Sequence, residues 1–299
     1  MKLTRFIFGL CCAAAALVSC SKEDISKAEE TSPVTITIST DDLATKTVIG
    51  RDDESGKYTH TWKEGDALSC IIVNSSTDYY LDKFVLVSGA GTKTGTFKCE
   101  ASHINKTGYT YPIIIYPYTD QEAGGWYLWS WENQVGGSLE NLSKYVVLYA
   151  RASFQDKVFK GWYGMDGKPA FLADSYFLKF PQGLQIVGNA PGNHTVDLTF
   201  SASGSSSVFN AQYYNKKAYQ GNRVTGSIKL TGVALTDGRL AKDTYMYVRA
   251  STDPGYTFTL EVEEGSNSVS YTLTSGSSYK STGGVYKFAQ ANFTPVLNF

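Results

Sequence analysis

From Pro33 onward the chain alternates apolar and polar residues with a period of two. Val34, Ile36 and Ile38 alternate with Thr35, Thr37 and Ser39, the pattern of a strand with one face buried. Further runs of this kind cover residues 67–73, 83–87, 110–116, 145–149, 176–180, 195–200, 227–230, 245–248, 256–262, 268–273 and 285–288. Turn formers separate them, among them Ser88-Gly89-Ala90-Gly91, Gly124-Gly125, Gly136-Gly137, Asp237-Gly238 and Gly283-Gly284. The one passable helix start, Ser138-Leu139-Glu140-Asn141, has room for about two turns at most. About twelve short strands at this spacing predict an all-β chain of antiparallel β-sandwiches. The turn-rich stretch Tyr163 to Pro169 is the best internal boundary, so two sandwich domains in tandem are expected, at 33–168 and 169–299.

Composition narrows the function more than the fold. With 42% hydrophobic and 18% charged residues, the 299-residue chain is neither disordered nor a membrane bundle. Its net charge is -1 with no basic stripe, which gives nucleic acid no footprint. Tyr (21) and Phe (15) abound, while His (3) and Cys (5) are scarce, leaving little material for metal or nucleophile chemistry. His60, His103 and His194 are far apart and fit no short ligand motif. The Gly-rich stretch Ser88 to Thr96 has the wrong spacing for a phosphate loop and no helix after it, so it reads as a hairpin turn. The expectation is a non-enzymatic protein without metal or cofactor.

Two local features stay open. In Gly125-Trp126-Tyr127-Leu128-Trp129-Ser130-Trp131, alternation sets Tyr127, Trp129 and Trp131 on one face. That row either packs into the core or forms an exposed platform for a sugar or a protein partner. Cys70 and Cys99 each sit in an alternating run that points toward a core, and both a disulfide and two buried free thiols fit.

The N-terminus reads as an address. Lys2 and Arg5 precede the apolar run Phe6 to Val18, which is too short for the ~20 residues a bilayer span needs. Leu17-Val18-Ser19-Cys20 resembles the lipobox of bacterial lipoproteins, which implies cleavage after residue 19 and acylation, including palmitate, at Cys20. Acyl chains then hold the protein on a membrane without a spanning helix. The resemblance implies a lipoprotein signal peptide at 1–19 and a lipidated, flexible tether at 20–32. Lys22, Glu23 and Asp24 resemble the surface-export signal of Bacteroidetes lipoproteins, which implies a lipid-anchored place on the outer face of the outer membrane.

Four stretches, taken in order, resemble the fimbrillin (Mfa-like) family of Bacteroidetes fimbrial proteins. The first is Ala44-Thr45-Lys46-Thr47 followed by Trp62-Lys63-Glu64-Gly65-Asp66 and an apolar strand. The second is Tyr111 to Tyr118, ending Ile115-Tyr116-Pro117-Tyr118. The third is Gln134 leading to Val147-Leu148-Tyr149-Ala150. The fourth joins Phe177-Leu178-Lys179-Phe180, Tyr256 to Leu260 and Gly284 to Phe288. Two positions depart from the pattern: Pro181 stands where many members carry His, and the tail lacks a Trp found in some.

The resemblance implies two transthyretin-like β-sandwich domains and a fimbrial subunit or accessory adhesin that assembles by donor-strand exchange. In that scheme a protease cuts after an Arg behind the first strand, that strand leaves, and another subunit's terminal strand fills the groove. The matching parts here are Val34, Ile36 and Ile38 as the replaceable strand, Arg51 as the processing point, and Phe293, Leu297 and Phe299 as the donor strand. Arg51 also fits an ordinary surface arginine. The implied partners are other fimbrial subunits or further copies, the outer membrane through the lipid, and a host protein or glycan. The alternative is a monomeric surface lipoprotein that binds glycan or protein through Tyr127, Trp129 and Trp131.

Overall fold

A computed structural model describes residues 31–39, 61–73, 79–104, 112–155, 158–161, 175–180, 192–215, 224–241, 243–250, 255–274, 285–287 and 294–296. Among them are three sheets and one four-residue α-helix. The fold is all-β, built as antiparallel sandwich layers, as the alternation predicts.

The first sheet runs in the order β1 (Ser32–Ser39), β4 (Thr94–Ser102), β3 (Tyr79–Ser88), β2 (Ala67–Val73), β5 (Ile113–Tyr116), β9 (Leu148–Gln155) and β10 (Val158–Gly161). Every neighbouring pair is antiparallel. The second has β20 (Val285–Lys287), β11 (Tyr176–Lys179), β17 (Tyr245–Ala250), β13 (Val208–Asn215), β7 (Trp126–Ser130) and β6 (Glu122–Ala123), with β14 (Val224–Thr225) also on β13. The third has β16 (Arg239–Leu240), β15 (Ile228–Thr236), β12 (Asn193–Ser203), β18 (Thr257–Glu264), β19 (Asn267–Thr274) and β21 (Thr294–Val296), with β8 (Asn133–Val135) also on β15. Two pairings are parallel, β11 with β20 and β15 with β8.

Period-two burial organises the third sheet. Val196, Leu198 and Phe200 on β12, and Phe258, Leu260 and Val262 on β18, are buried, while Asp197, Thr199, Glu261 and Glu263 between them are not. The first sheet differs at its middle, where β2 is buried on both faces: Leu68, Cys70 and Ile72 on one, Ile71 on the other. Ile71 pairs with Ile113, and Ile115 pairs with Tyr149, whose ring lies 6.4 Å from that of Tyr214 on β13. The second sheet therefore covers that face, and the apolar run in β2 is continuous because both sides need it.

The turns follow the glycines where the backbone demands them. Asp237 (φ 50°) and Gly238 (φ 71°) both take the left-handed region between β15 and β16, as a type I′ hairpin requires. The helix α1 (Leu139–Leu142) starts at Ser138, whose hydroxyl accepts from the Asn141 amide at 3.2 Å. The expected domain boundary at 163–169 lies outside the described residues. Strands that precede it join strands that follow it: β7 pairs with β13, and β8 with β15.

Candidate functional site

The site built by the first strand starts from its place at the end of a sheet. Among the described residues β1 pairs with β4 alone. Val34 lies opposite Cys99, Ile36 opposite Phe97 and Ile38 opposite Gly95. The three aliphatic residues are 6%, 4% and 1% exposed, whereas Thr35 and Thr37 face outward. Each buried side chain of this size stabilises by about 1.5–3 kcal/mol. Hydroxyl contacts hold the outer face: Thr37 Oγ1 lies 3.3 Å from Thr96 Oγ1, and Thr94 Oγ1 donates to Ser39 Oγ at 3.3 Å. The strand is thus an uncharged apolar edge, the kind that pairs readily with other strands.

One end of the groove is a corner made by Trp62 and Gly95. A Cβ on Gly95 would meet Trp62 Cδ1 at 2.7 Å, and Leu86 Cδ1 and Phe97 Cε2 at 2.8 Å. The glycine is therefore required by close approach. The Trp62 ring is fully buried, edge-on to Phe97 at 4.9 Å and to Tyr116 at 5.4 Å, and its Nε1 donates to Lys93 O at 3.1 Å. Beyond it Gly65, at φ 86°, turns the chain into β2. Asp66 closes that turn: its amide donates to Lys63 O at 3.0 Å, and its carboxylate accepts from the Lys63 amide at 2.7 Å and the Tyr116 hydroxyl at 3.1 Å. Burial pushes the Asp66 carboxyl above its ordinary range, against the opposing pull of those two hydrogen bonds. Burial, with Asp66 nearby, raises the Tyr116 hydroxyl well above its usual value.

At the other end Ser32 pairs with Ser102, the last residue of β4. There the buried Asp82 carboxylate accepts from Ser102 Oγ at 2.7 Å and the His103 amide at 2.8 Å, and its second oxygen lies 2.7 Å from His103 Nδ1. The His103 ring stacks on Tyr80 at 3.8 Å. These are a serine, a histidine and an aspartate, but Ser102 is fully buried and donates to Asp82. Ser102 Oγ and His103 Nδ1 both turn to the Asp82 carboxylate. The cluster fastens the end of β4 to β3.

The two thiols lie on the groove side of the same sheet. β3 runs between β2 and β4, which sets Cys70 and Cys99 two strands apart and offset along them, so at least roughly 9.5 Å separates them. A disulfide needs Cα atoms within about 7 Å. Both cysteines are free, and burial raises both thiols above their ordinary range.

Of the two readings of the aromatic row, burial supports core packing and not the alternative platform. Tyr127, Trp129 and Trp131 do share a face, but they are 4%, 3% and 0% exposed, so they form no open platform. Trp129 Nε1 donates to Pro117 O and Trp131 Nε1 to Phe209 O, both at 2.8 Å. The rings meet Tyr214 and Tyr247 edge-on at 5.6 and 5.9 Å. The second sheet needs a filled core there, and this row fills it.

Cys20, Lys22, Glu23, Asp24, Arg51, Phe293, Leu297 and Phe299 lie outside the described residues. The sequence reading missed the Gly95 notch and the Asp82 cluster. A lone glycine inside the run Thr94 to Cys99 was the available signal for the first. The partners of Asp82 come together only through β3–β4 pairing, so nothing local announced them.

No family model matches the chain, and no curated protein matches it. Several solved structures resemble it in outline. A candidate cell adhesion protein from Bacteroides uniformis aligns over 88% of this chain and 95% of its own, at 13% identity and a TM-score of 0.42. A fimbrial assembly protein from Parabacteroides distasonis aligns over 86% and 90%, at 9% identity and 0.36. The fimbrial anchor protein Mfa2 from Porphyromonas gingivalis aligns over 78% and 77%, at 12% identity and 0.32.

Proposed function

We propose that this chain is a non-enzymatic, lipid-anchored surface protein of fimbrial type, a subunit or accessory adhesin whose first strand is a replaceable part. The observation that carries the reading is β1 itself: an edge strand with three buried aliphatic residues and one described pairing partner. Removing it uncovers an apolar groove and the unpaired backbone of β4, and a donor strand repairs both at once. The ordered motifs of the fimbrillin resemblance support the same reading, since Trp62, Gly65, Asp66 and Gln134 each occupy a specific structural position.

In this reading Cys20 carries the acyl chains, and Lys22, Glu23 and Asp24 direct the protein to the outer face of the outer membrane. A cut after Arg51 frees β1, and the tail with Phe293, Leu297 and Phe299 is the part offered to another subunit. Treatment with an Arg-specific protease is the test. Wild type should give SDS-resistant assemblies when the other subunits of its native membrane are present, and Arg51→Ala should not. Assemblies forming equally from both, or a cut wild type that simply unfolds, would contradict the reading.

A further inference from the structure

We propose that β1 joins two copies of this chain: its open side pairs antiparallel with the same side of a second copy's β1, so that two first sheets become one. Strand replacement concerns the β4 side of β1. This joint uses the opposite side, so it stands whether or not β1 is replaceable.

The sheet ends of this molecule are not alike. β10 is four residues long and carries Lys160, β20 is three with Lys287, β6 two with Glu122, β16 two with Arg239, and β21 three with Pro295. Short length, a charge or a proline each discourages another strand from adding to an edge. β1 is eight residues long and uncharged throughout, and among the described residues it pairs with β4 alone. Its proline, Pro33, lies outside residues 34–38. This is the one sheet end among the described residues that is both long and unguarded.

The residues of β1 say which partner fits. Positions 34–38 read Val-Thr-Ile-Thr-Ile, the same chemical pattern in both directions. About a two-fold axis at Ile36, that residue faces its own counterpart, Val34 faces Ile38 of the second copy, and Thr35 faces Thr37. Aliphatic residues then stay on the buried face of the joined sheet and hydroxyls on the outward face, where Thr35 and Thr37 are exposed. A slip of one residue would set threonine against isoleucine. The Thr37–Thr96 contact across β1 and β4, 3.3 Å between hydroxyl oxygens, is the kind of pair the joint would repeat. One strand pair buries less than the ~1,600 Å² of a standard interface, so the joint is reversible.

The test uses the full chain carrying Cys20→Ala, so that acyl chains do not hold copies together. Sedimentation between ~1 and ~300 µM should show a monomer–dimer equilibrium. Adding Thr35→Glu and Thr37→Glu sets carboxylates against each other across the joint, and should weaken the dimer at least about tenfold. Within one copy the carboxylate at position 35 lies opposite Lys98, so β1 should stay seated and Cys99 protected from alkylation. Mixed with a chain carrying Thr37→Lys, a labelled double-glutamate chain should enter a hybrid dimer, because position 35 of one copy faces position 37 of the other. A parent chain that stays monomeric, a dimer indifferent to the glutamates, or no hybrid would each overturn the joint. With Cys99 still protected, strand replacement would stand in all three cases. Should the glutamates expose Cys99, chains with Thr35→Cys and with Thr37→Cys are mixed and oxidised. A disulfide-linked peptide pair joining positions 35 and 37 upholds the joint, and its absence overturns it.

Discussion

Gln134 and Tyr247, 113 residues apart, pair as two strand backbones would. The Gln134 side-chain amide donates to Tyr247 O at 2.6 Å, and the Tyr247 amide donates to Gln134 Oε1 at 2.8 Å. The same Gln134 nitrogen donates to Trp131 O at 2.9 Å, and the Tyr247 hydroxyl accepts from the Val147 amide at 3.1 Å. One fully buried carboxamide thereby joins β8, the end of the aromatic row and β17. Replacing it with alanine leaves two carbonyls and one N–H buried without their partner. Gln134→Ala should lose about 2–4 kcal/mol in urea unfolding. Gln134→Glu should be no better, since a carboxylate cannot donate to the two carbonyls. A loss below about 0.5 kcal/mol for either would mean that the pairing contributes little to stability.

Gly95 and Gly65 should fail for different reasons. Gly95→Ala drives a methyl group into Trp62, Leu86 and Phe97, and should cost about 1–3 kcal/mol. Gly65→Ala meets nothing within 4 Å, and only its φ of 86° opposes the change, so it should cost about 1 kcal/mol. Thermal melts of both variants check the order. Equal stability of Gly95→Ala and wild type would contradict the crowded corner.

Asp66 makes stability depend on pH in a defined direction. Its folded pKa is raised, so the folded chain holds this proton more tightly than the unfolded chain. Its contribution is full below the ordinary carboxyl pKa and falls as pH rises through the raised value. The excess Tm of wild type over Asp66→Asn should therefore be larger near pH 4 than at pH 7. An excess that grows with pH would show instead that the hydrogen bonds from Lys63 and Tyr116 outweigh burial.

Much of this architecture was legible from the period-two pattern, and the exceptions have physical causes. β13 was not foreseen because its buried face reads Val208, Asn210, Gln212, Tyr214, and two carboxamides interrupt the apolar alternation. Asn210 donates to Ser227 O and Gln212 to the Tyr214 hydroxyl, so the polarity is satisfied inside the fold. The pattern places β17 at 245–248 as one more half-buried strand, whereas all six of its residues are buried, so both of its faces are covered. β1 was fully readable, with its three inward residues where the pattern set them. The aromatic row was readable as a face but not as buried or exposed, since that depends on β13 lying beside it.

The anchor can be tested without reference to assembly. Cys20→Ala should leave the membrane fraction after a carbonate wash. Replacing Lys22, Glu23 and Asp24 with alanine should keep lipidation and remove the protein from protease shaving of intact cells. Unchanged membrane fractionation in the first case, or unchanged shaving in the second, would contradict the corresponding step.

The most direct measurement of the central claim is the thiol accessibility of Cys99, read peptide by peptide before and after an Arg-specific cut. Cys99 lies opposite Val34 and is 7% exposed, so it should resist alkylation while β1 is seated. Cys70 is fully buried two strands further in and serves as the internal control. Cutting should open Cys99 to the reagent while Cys70 stays protected, and Arg51→Ala should keep both protected. Protection of Cys99 after the cut, or simultaneous labelling of both thiols, would contradict the first strand as a separable part.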